Sequence, residues 1–164
     1  MKPAFKTNQY YHASCMKKGN VILINSYSGD GLVAIDPLFE TRFLSIDSDD
    51  SLLGMTLLQA LAASRTLVGN ERVQFLKDDT AKLNYQKWVD ELSRKFGYKT
   101  KRALFKDLIN CEVTMVNQEI TISPTRHCKL EAWDSLPDLK CYVSTNESLE
   151  KIGKCLRQAL DNSY

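Results

Sequence analysis

Two histidines, His12 and His127, and five cysteines, Cys15, Cys111, Cys128, Cys141 and Cys155, are the side chains of this chain best suited to nucleophilic or metal chemistry. Their spacing supports neither. His127 and Cys128 are adjacent, and adjacent side chains on a strand point to opposite faces, so they cannot form a nucleophile–base pair. His12 and Cys15 offer two metal ligands, but a structural zinc site takes four. No CxxC or HxxxH supplies the rest. The SGDG turn (28–31) lacks the Lys-Ser/Thr and the following helix of a phosphate loop. No spacing joins His12 to Lys101 or Arg102 for RNA cleavage, and Trp88 and Trp133 read as core residues rather than stacking platforms. The expectation is no catalytic residue, no metal and no cofactor.

Charge is distributed more informatively than these groups. Between Ser28 and Ala60 stand six acids, Asp30, Asp36, Glu40, Asp47, Asp49 and Asp50, opposed only by Arg42. Between Arg94 and Lys106 stand six bases and no acid. Such a two-sided field can steer a charged partner. The basic run, with Phe96, Tyr98 and Phe105 close by, raises one alternative: a single-stranded nucleic-acid-binding protein using segment 94–106. The acidic first half would repel the same polyanion, which makes nucleic acid the weaker choice of partner.

The 164 residues suit a single domain, 1–164, and the 43% hydrophobic and 26% charged content is that of a globular chain. No 18-residue apolar window exists to cross a membrane, and the polar start of the chain lacks a secretory h-region. Scattered cysteines in odd number, without CxxC, point to free thiols in the cytoplasm.

Residues 1–20 read as an irregular lead-in. VILINSY (21–27), GLVAID (31–36) and TRFLSID (41–47) read as strands. From 47 to 65 the period becomes helical, with Leu53, Leu57, Ala60 and Leu61 on one face. Residues 66–79 are looser, with Gly69-Asn70 as a breaker. The pattern at 80–98 predicts a helix with Thr80 as N-cap and Gly97 at C′. KTKRALFK then alternates well enough to predict a basic strand. CEVTMVN (111–117) and EITIS (119–123) predict a hairpin turning at Asn117-Gln118, with Val113, Met115, Ile120 and Ile122 on a shared face. KLEAWDS and KCYVST are weaker strands, and a helix behind an Asn146 cap closes the chain.

Two of these helices repeat: LGMTLLQAL (53–61) lies ninety-nine residues before IGKCLRQAL (152–160), with Gly54 matching Gly153. The likeness does not extend into the preceding strands. A glycine within a helix costs about 1 kcal/mol against alanine, so its recurrence implies close backbone approach, expected here onto a sheet. The predicted fold is α/β of the α+β type: a largely antiparallel sheet, about three helices on one face, and a possible pseudo-repeat of strands followed by a helix, with the 80–96 helix inserted between halves.

FGYKTKRALFK (96–106), SPTRHCKLEAW (123–133) and SLEKIGKCLRQAL (148–160), together with SYSGDGLVAIDP (26–37) and LLGMTLLQALAASR (52–65), resemble the CdiI immunity proteins of bacterial contact-dependent growth inhibition. The resemblance runs from about Val21 to Leu160. It implies a non-enzymatic cytoplasmic protein whose partner is the cognate CdiA C-terminal toxin domain, often a nuclease such as one that cuts tRNA. Toxin-binding residues vary within the family, so none transfers by motif. If the toxin's active cleft is basic, complementary acids should meet it. The candidate toxin-binding residues are Asp30, Asp36, Glu40, Asp47, Asp49, Asp50, Asp78 and Asp79, of which Asp47, Asp49 and Asp50 are also placed to cap a helix.

Overall fold

The computed structural model describes residues 1–164. In chain order it contains β1 (Tyr11–Lys18), β2 (Val21–Asp30), β3 (Leu32–Ile35), β4 (Arg42–Ser45), α1 (Asp50–Ala63), α2 (Gly69–Leu76), α3 (Asp78–Phe96) and α4 (Lys101–Phe105). Then follow β5 (Ile109–Val116), β6 (Glu119–Lys129), β7 (Ala132–Ser135), a short 3-10 turn (Pro137–Leu139), β8 (Cys141–Ser144) and α5 (Leu149–Asp161). All eight strands form one antiparallel sheet in the order β3-β2-β1-β5-β6-β7. The outer edge of β2 is shared by β3 and β4, and that of β6 by β7 and β8.

Alternation sorts each strand between two cores. Tyr11, Ala13 and Cys15, Ile22 and Ile24, Val113 and Met115, and Ile120 and Ile122 face α1 and α5, where Leu53, Leu57 and Leu61 meet Ile152, Leu156 and Leu160. Met16 and Leu23 face the other way, onto Trp88, Val89 and Leu92 of α3 and Leu104 and Phe105 of α4. Helices therefore cover both faces rather than one, and there are five rather than three. The expected hairpin forms as read, with Val113 opposite Ile122, Met115 opposite Ile120, and positive φ at Asn117 and Gln118.

The repeat is a pseudo-twofold. The series β1-β2-β3-β4-α1 recurs as β5-β6-β7-β8-α5, and β1 pairs antiparallel with β5 at the centre. Equivalent core residues of the hairpins, Ile22 with Ile120 and Ile24 with Ile122, lie ninety-eight apart, whereas the helical glycines lie ninety-nine apart. One residue of slip inverts a strand's faces. The offset that aligns the helices therefore sets the strands out of phase, so only the helical part of the repeat shows in the sequence.

The glycines serve a different contact from the one expected. Gly54 and Gly153 face one another's helix, not the sheet. A methyl group on Gly54 would overlap the Leu149 carbonyl oxygen, and one on Gly153 would overlap that of Asp50. Asp50 and Leu149 are themselves ninety-nine apart, so the two contacts are related by the pseudo-dyad. Arg157 reinforces the junction, donating to Asp50 Oδ1 (2.9 Å) and to the carbonyls of Ile46 (2.7 Å) and Ser48 (2.6 Å).

Other local differences have physical causes. Residues 11–18 are a central strand, not an irregular lead-in; their small and thiol-bearing inward residues, Ala13 and Cys15, carry little hydrophobic signal. KTKRALFK is not a strand, because Leu104 and Phe105 are both fully buried as neighbours, which one helical turn permits and a one-sided strand does not. Thr100 caps that turn, accepting from the Ala103 N–H (3.1 Å), and Lys18 Nζ donates to the Ala103 carbonyl (2.9 Å). Gly69 opens α2 instead of breaking the chain. Helix α3 begins at Asp78, ahead of Thr80, with two acids favourable to its dipole, and ends at Gly97 in the left-handed region as expected. Ser148, not Asn146, caps α5.

Each of Gly54→Ala and Gly153→Ala is expected to lower the urea midpoint, at a cost of about 2–3 kcal/mol from overpacking. The double variant should lose less than the two single losses combined, because both act on one helix crossing. Unchanged midpoints in both single variants would contradict the backbone contact.

Candidate recognition cleft

The alternation that sends Met16 and Leu23 toward α3 also places Ser14, Asn25, Tyr27, Asn110 and Glu112 on that second face. Helices α3 and α4 cover only part of it. What remains is a cleft of about 440 Å³, mostly apolar, floored by Met16, Tyr27, Asn110 and Glu112. Ala34 and Ile35 of β3 and Ala81, Tyr85 and Trp88 of α3 form one wall. Phe105 with Glu131 and Trp133 of the β6–β7 hairpin form the other.

Its aromatic groups are held rigidly. Trp88 donates its indole N–H to Asn25 Oδ1 (3.1 Å), which also accepts from the Thr41 hydroxyl (2.6 Å). Trp133 donates to the Leu108 carbonyl (2.9 Å) and stacks on His127 with ring centroids 4.7 Å apart. Phe105 sits between the two indoles, 6.4 and 6.3 Å from them. Trp88 is thus core, as expected, while its edge and the half-buried Trp133 also line the cleft.

The two carboxylates differ. Glu131 accepts from the Tyr85 hydroxyl (2.7 Å) and lies 3.5 Å from Lys101 Nζ. Burial and the Glu131 carboxylate together push the Tyr85 phenol well above its ordinary range. Burial likewise raises Tyr27. Glu112 is exposed and takes part in no salt bridge. Neither glutamate, nor Asn110, was singled out from sequence. On β5, Asn110 and Glu112 alternate with buried Cys111 and Val113, which marks an outward face without showing that the face is half-roofed.

The acids picked from sequence fall in separate places. Asp78 and Asp79 are exposed at the start of α3; Asp78 pairs with Lys82 (2.8 Å), a lining residue, and so stands at the cleft rim. Asp30 lies in a polar recess with residues 6–10, His12 and Thr66, its carbonyl accepting from Arg72. Glu40 and Asp47 are exposed near β4. Asp49 caps α1, accepting from the Leu52 N–H (2.7 Å), and Asp50 is committed to Arg157.

Asp36 is 1% exposed and serves the fold. It accepts from Arg65 Nε (2.7 Å) and Nη2 (3.0 Å), the Ser28 hydroxyl (2.5 Å) and the Leu38 N–H (3.0 Å). Burial works to raise its carboxyl pKa, but the hydrogen bonds from Arg65, Ser28 and Leu38 and the Arg65 charge outweigh it and hold the group below the usual carboxylate range.

Two bases of the basic run, Lys95 and Lys101, are engaged, and its aromatic residues face inward. Lys95 lies over Phe43 (5.1 Å) and Lys101 over Tyr85 (5.7 Å), while Phe105 is buried and Phe96 and Tyr98 pack on the second core. Arg102, Lys106 and Lys129 border a shallow recess beside His127 and Cys128. His12 and Cys15 point to opposite faces of β1, and no group of three or more His, Cys, Asp or Glu side chains is placed to hold a metal. All five cysteines are free, and no helix is long and apolar enough to cross a membrane.

An antiparallel sheet with one face covered by α1 and α5 and the other only partly covered by α3 and α4 defines a protein of the α+β class. Comparison with known proteins names its family. Residues 11–163 match the profile of CdiI, the CDI immunity protein family. The chain is 36% identical to the immunity protein CdiI-YPIII of Yersinia pseudotuberculosis serotype O:3, over 90% of this chain and 92% of that one. Its fold matches that of NMB0488 from Neisseria meningitidis, described as a protein of unknown function, with TM-score 0.95 and 37% identity over 99% of this chain and all of that one. A chain of the CdiA-CT/CdiI toxin and immunity complex from Yersinia pseudotuberculosis matches with TM-score 0.87 and 32% identity, over 97% of this chain and all of that one. The protein belongs to the CdiI immunity family of contact-dependent growth inhibition.

Asp36→Asn should lower stability by about 2–3 kcal/mol, less than for a fully buried pair because Arg65 is 35% exposed. The sign with pH follows from a depressed folded pKa. The pair's contribution is complete above about pH 5 and is lost as pH falls through the folded value. Wild-type urea midpoints should therefore drop between about pH 5 and 3 more steeply than those of Asp36→Asn; parallel curves would contradict the assignment.

Proposed function

We propose that this chain is the antidote of a growth-inhibition pair: it binds the C-terminal toxin domain of a CdiA effector in the cytoplasm and neutralises it stoichiometrically, without turnover. The observation that carries the reading is the chain's likeness, over almost its whole length, to a protein whose structure is a CdiA-CT/CdiI toxin and immunity complex. The open cleft supports it as a preformed recognition surface.

The toxin is a nuclease in this reading. A nuclease holds a polyanion and so presents a basic cleft, which exposed carboxylates complement. Glu112 and Glu131 line the cleft, Glu131 being engaged by Tyr85 and Lys101, and Asp78 stands at the rim with Asp79 exposed next to it in the chain. Asp30, Glu40 and Asp47 extend the negative surface elsewhere, while Asp36, Asp49 and Asp50 act chiefly within the fold. Binding nucleic acid through 94–106 fits less well, because its aromatic rings turn inward and Lys95 and Lys101 are already stacked or paired.

Expression of the cognate toxin domain should kill cells unless this chain is present, and the two should co-purify in equal amounts. Death in its presence would end the reading. At low ionic strength, Asp78→Lys/Asp79→Lys should slow association with the toxin about tenfold and flatten its salt dependence, measured by stopped-flow mixing. A rate indifferent to both salt and substitution would remove the electrostatic part alone.

A further inference from the structure

The five free cysteines are not alike. Cys15 and Cys111 stand opposite one another on the β1–β5 ladder, but both are fully buried, and Cys111 meets the Ser163 hydroxyl (3.2 Å). Cys128 is exposed, and its thiol donates to the Ala132 carbonyl (3.3 Å) rather than to another thiol. Cys141 and Cys155 differ from all three. Cys141 lies on β8 opposite Ile122 of β6, and residues opposite each other in a ladder share a face, so it looks toward the α1–α5 core. Val143, two residues on, is buried in that core, whereas Tyr142 between them is 60% exposed. Helix α5 packs directly on β8, and Cys155 stands at the margin of its buried stripe, Ile152, Leu156 and Ala159. Both thiols pack against the core yet stay partly open to solvent. They also meet: the Cys141 thiol donates to the Cys155 sulfur. Burial, and after it the Cys155 thiol, push the Cys141 thiol up to about 11.

Thiol exchange needs access and a second sulfur within reach, and this is the one pair that has both. We propose that Cys141 and Cys155 are a reversible redox staple, which a small-molecule disulfide such as oxidised glutathione closes, pinning α5 to β8. Cys141 keeps its proton at neutral pH, so the first attack falls to Cys155. Its thiolate attacks one sulfur of the small disulfide, forming a mixed disulfide and expelling one thiolate. Cys141 then gives up its proton and attacks the Cys155 sulfur, forming the internal bond and expelling the second thiolate. The two protons lost by the cysteines end on the two small thiols; both cysteines are oxidised and the small disulfide is reduced. The bond closes a short loop, made of the 145–148 connection and the first half of α5, and stabilises chiefly by restricting the unfolded chain. It sits on the α1–α5 side, so the α3 side and its cleft are left as they are. The staple stands independently of the neutraliser reading.

The test treats the full chain with oxidised glutathione, removes the small molecules, and counts thiols after unfolding with a chromogenic disulfide. The exposed Cys128 is first changed to serine so that it takes up no glutathione, which leaves four of the five thiols. Oxidation should reduce the count by two, and peptide mapping should find Cys141 joined to Cys155. The melting temperature should rise by roughly 5–10 °C and return when dithiothreitol is added. Cys141→Ser and Cys155→Ser, each made in the same background, should show no difference between oxidised and reduced samples, whatever their own stability. Four thiols after oxidation, or glutathione left on one cysteine with no internal bond, overturns the pair. A bond between Cys141 and Cys155 that leaves the melting temperature unchanged or lower overturns the staple.

Discussion

Two helices reach backbone contact only where neither places a side chain between them, and the crossing of α1 and α5 depends on that condition. Gly54 and Gly153 supply it from opposite sides, each leaving room for a carbonyl of the other helix. The rest of the scaffold follows. With the helices this close, their leucines point down together onto the alternating residues of β1, β2, β5 and β6, and one core serves both halves. The pseudo-twofold that relates the glycines also runs through the β1–β5 ladder, so helix layer and sheet share one symmetry.

Symmetry ends on the other face. The segment from α2 to α4 has no counterpart in the second half. It lays Trp88, Leu92 and Phe105 over part of the sheet and leaves the remainder open. The fold therefore separates two demands. The α1–α5 side is packed and spent on stability; the α3 side retains partly exposed rings beside an unpaired carboxylate, features that suit a partner. Polar groups divide in the same way. Asp36, Asp49 and Asp50 hold elements in place, whereas Glu112 and Asp79 form no salt bridge.

Much of this was legible in the residues. The 111–123 hairpin, the helices around Leu57 and Leu156, the stop at Gly97 and the family resemblance follow from alternation, helical spacing, glycine and matching strings. Three things were hidden. The strand β1 buries small side chains and so resembles a loop. The turn at 101–105 is too short for a helical period to declare itself, and its charges imitate one polar side of a strand. The cleft is built from Tyr27, Tyr85, Glu112, Glu131 and Trp133, up to about a hundred residues apart in the chain, each unremarkable where it stands. Acidity drew attention to the 30–50 segment, yet charge density alone does not distinguish a carboxylate that caps or pairs from one that is free. Only tertiary packing separates Asp36 from Asp78.

The central ladder has a temporal side. The inner edge of β1 finds its partner in β5, with Lys17 opposite Ile109 and Tyr11 opposite Met115, and α1 must wait longer still for α5. A half-made chain leaving the ribosome thus carries an open strand edge and an uncovered apolar helix flank, the two features most prone to mispairing. Assembly is dominated by contacts between distant parts of the chain, which favours late, all-at-once closure over stepwise growth. Protection is available only after the last helix has been made, so the supply of finished chains has to run ahead of the threat.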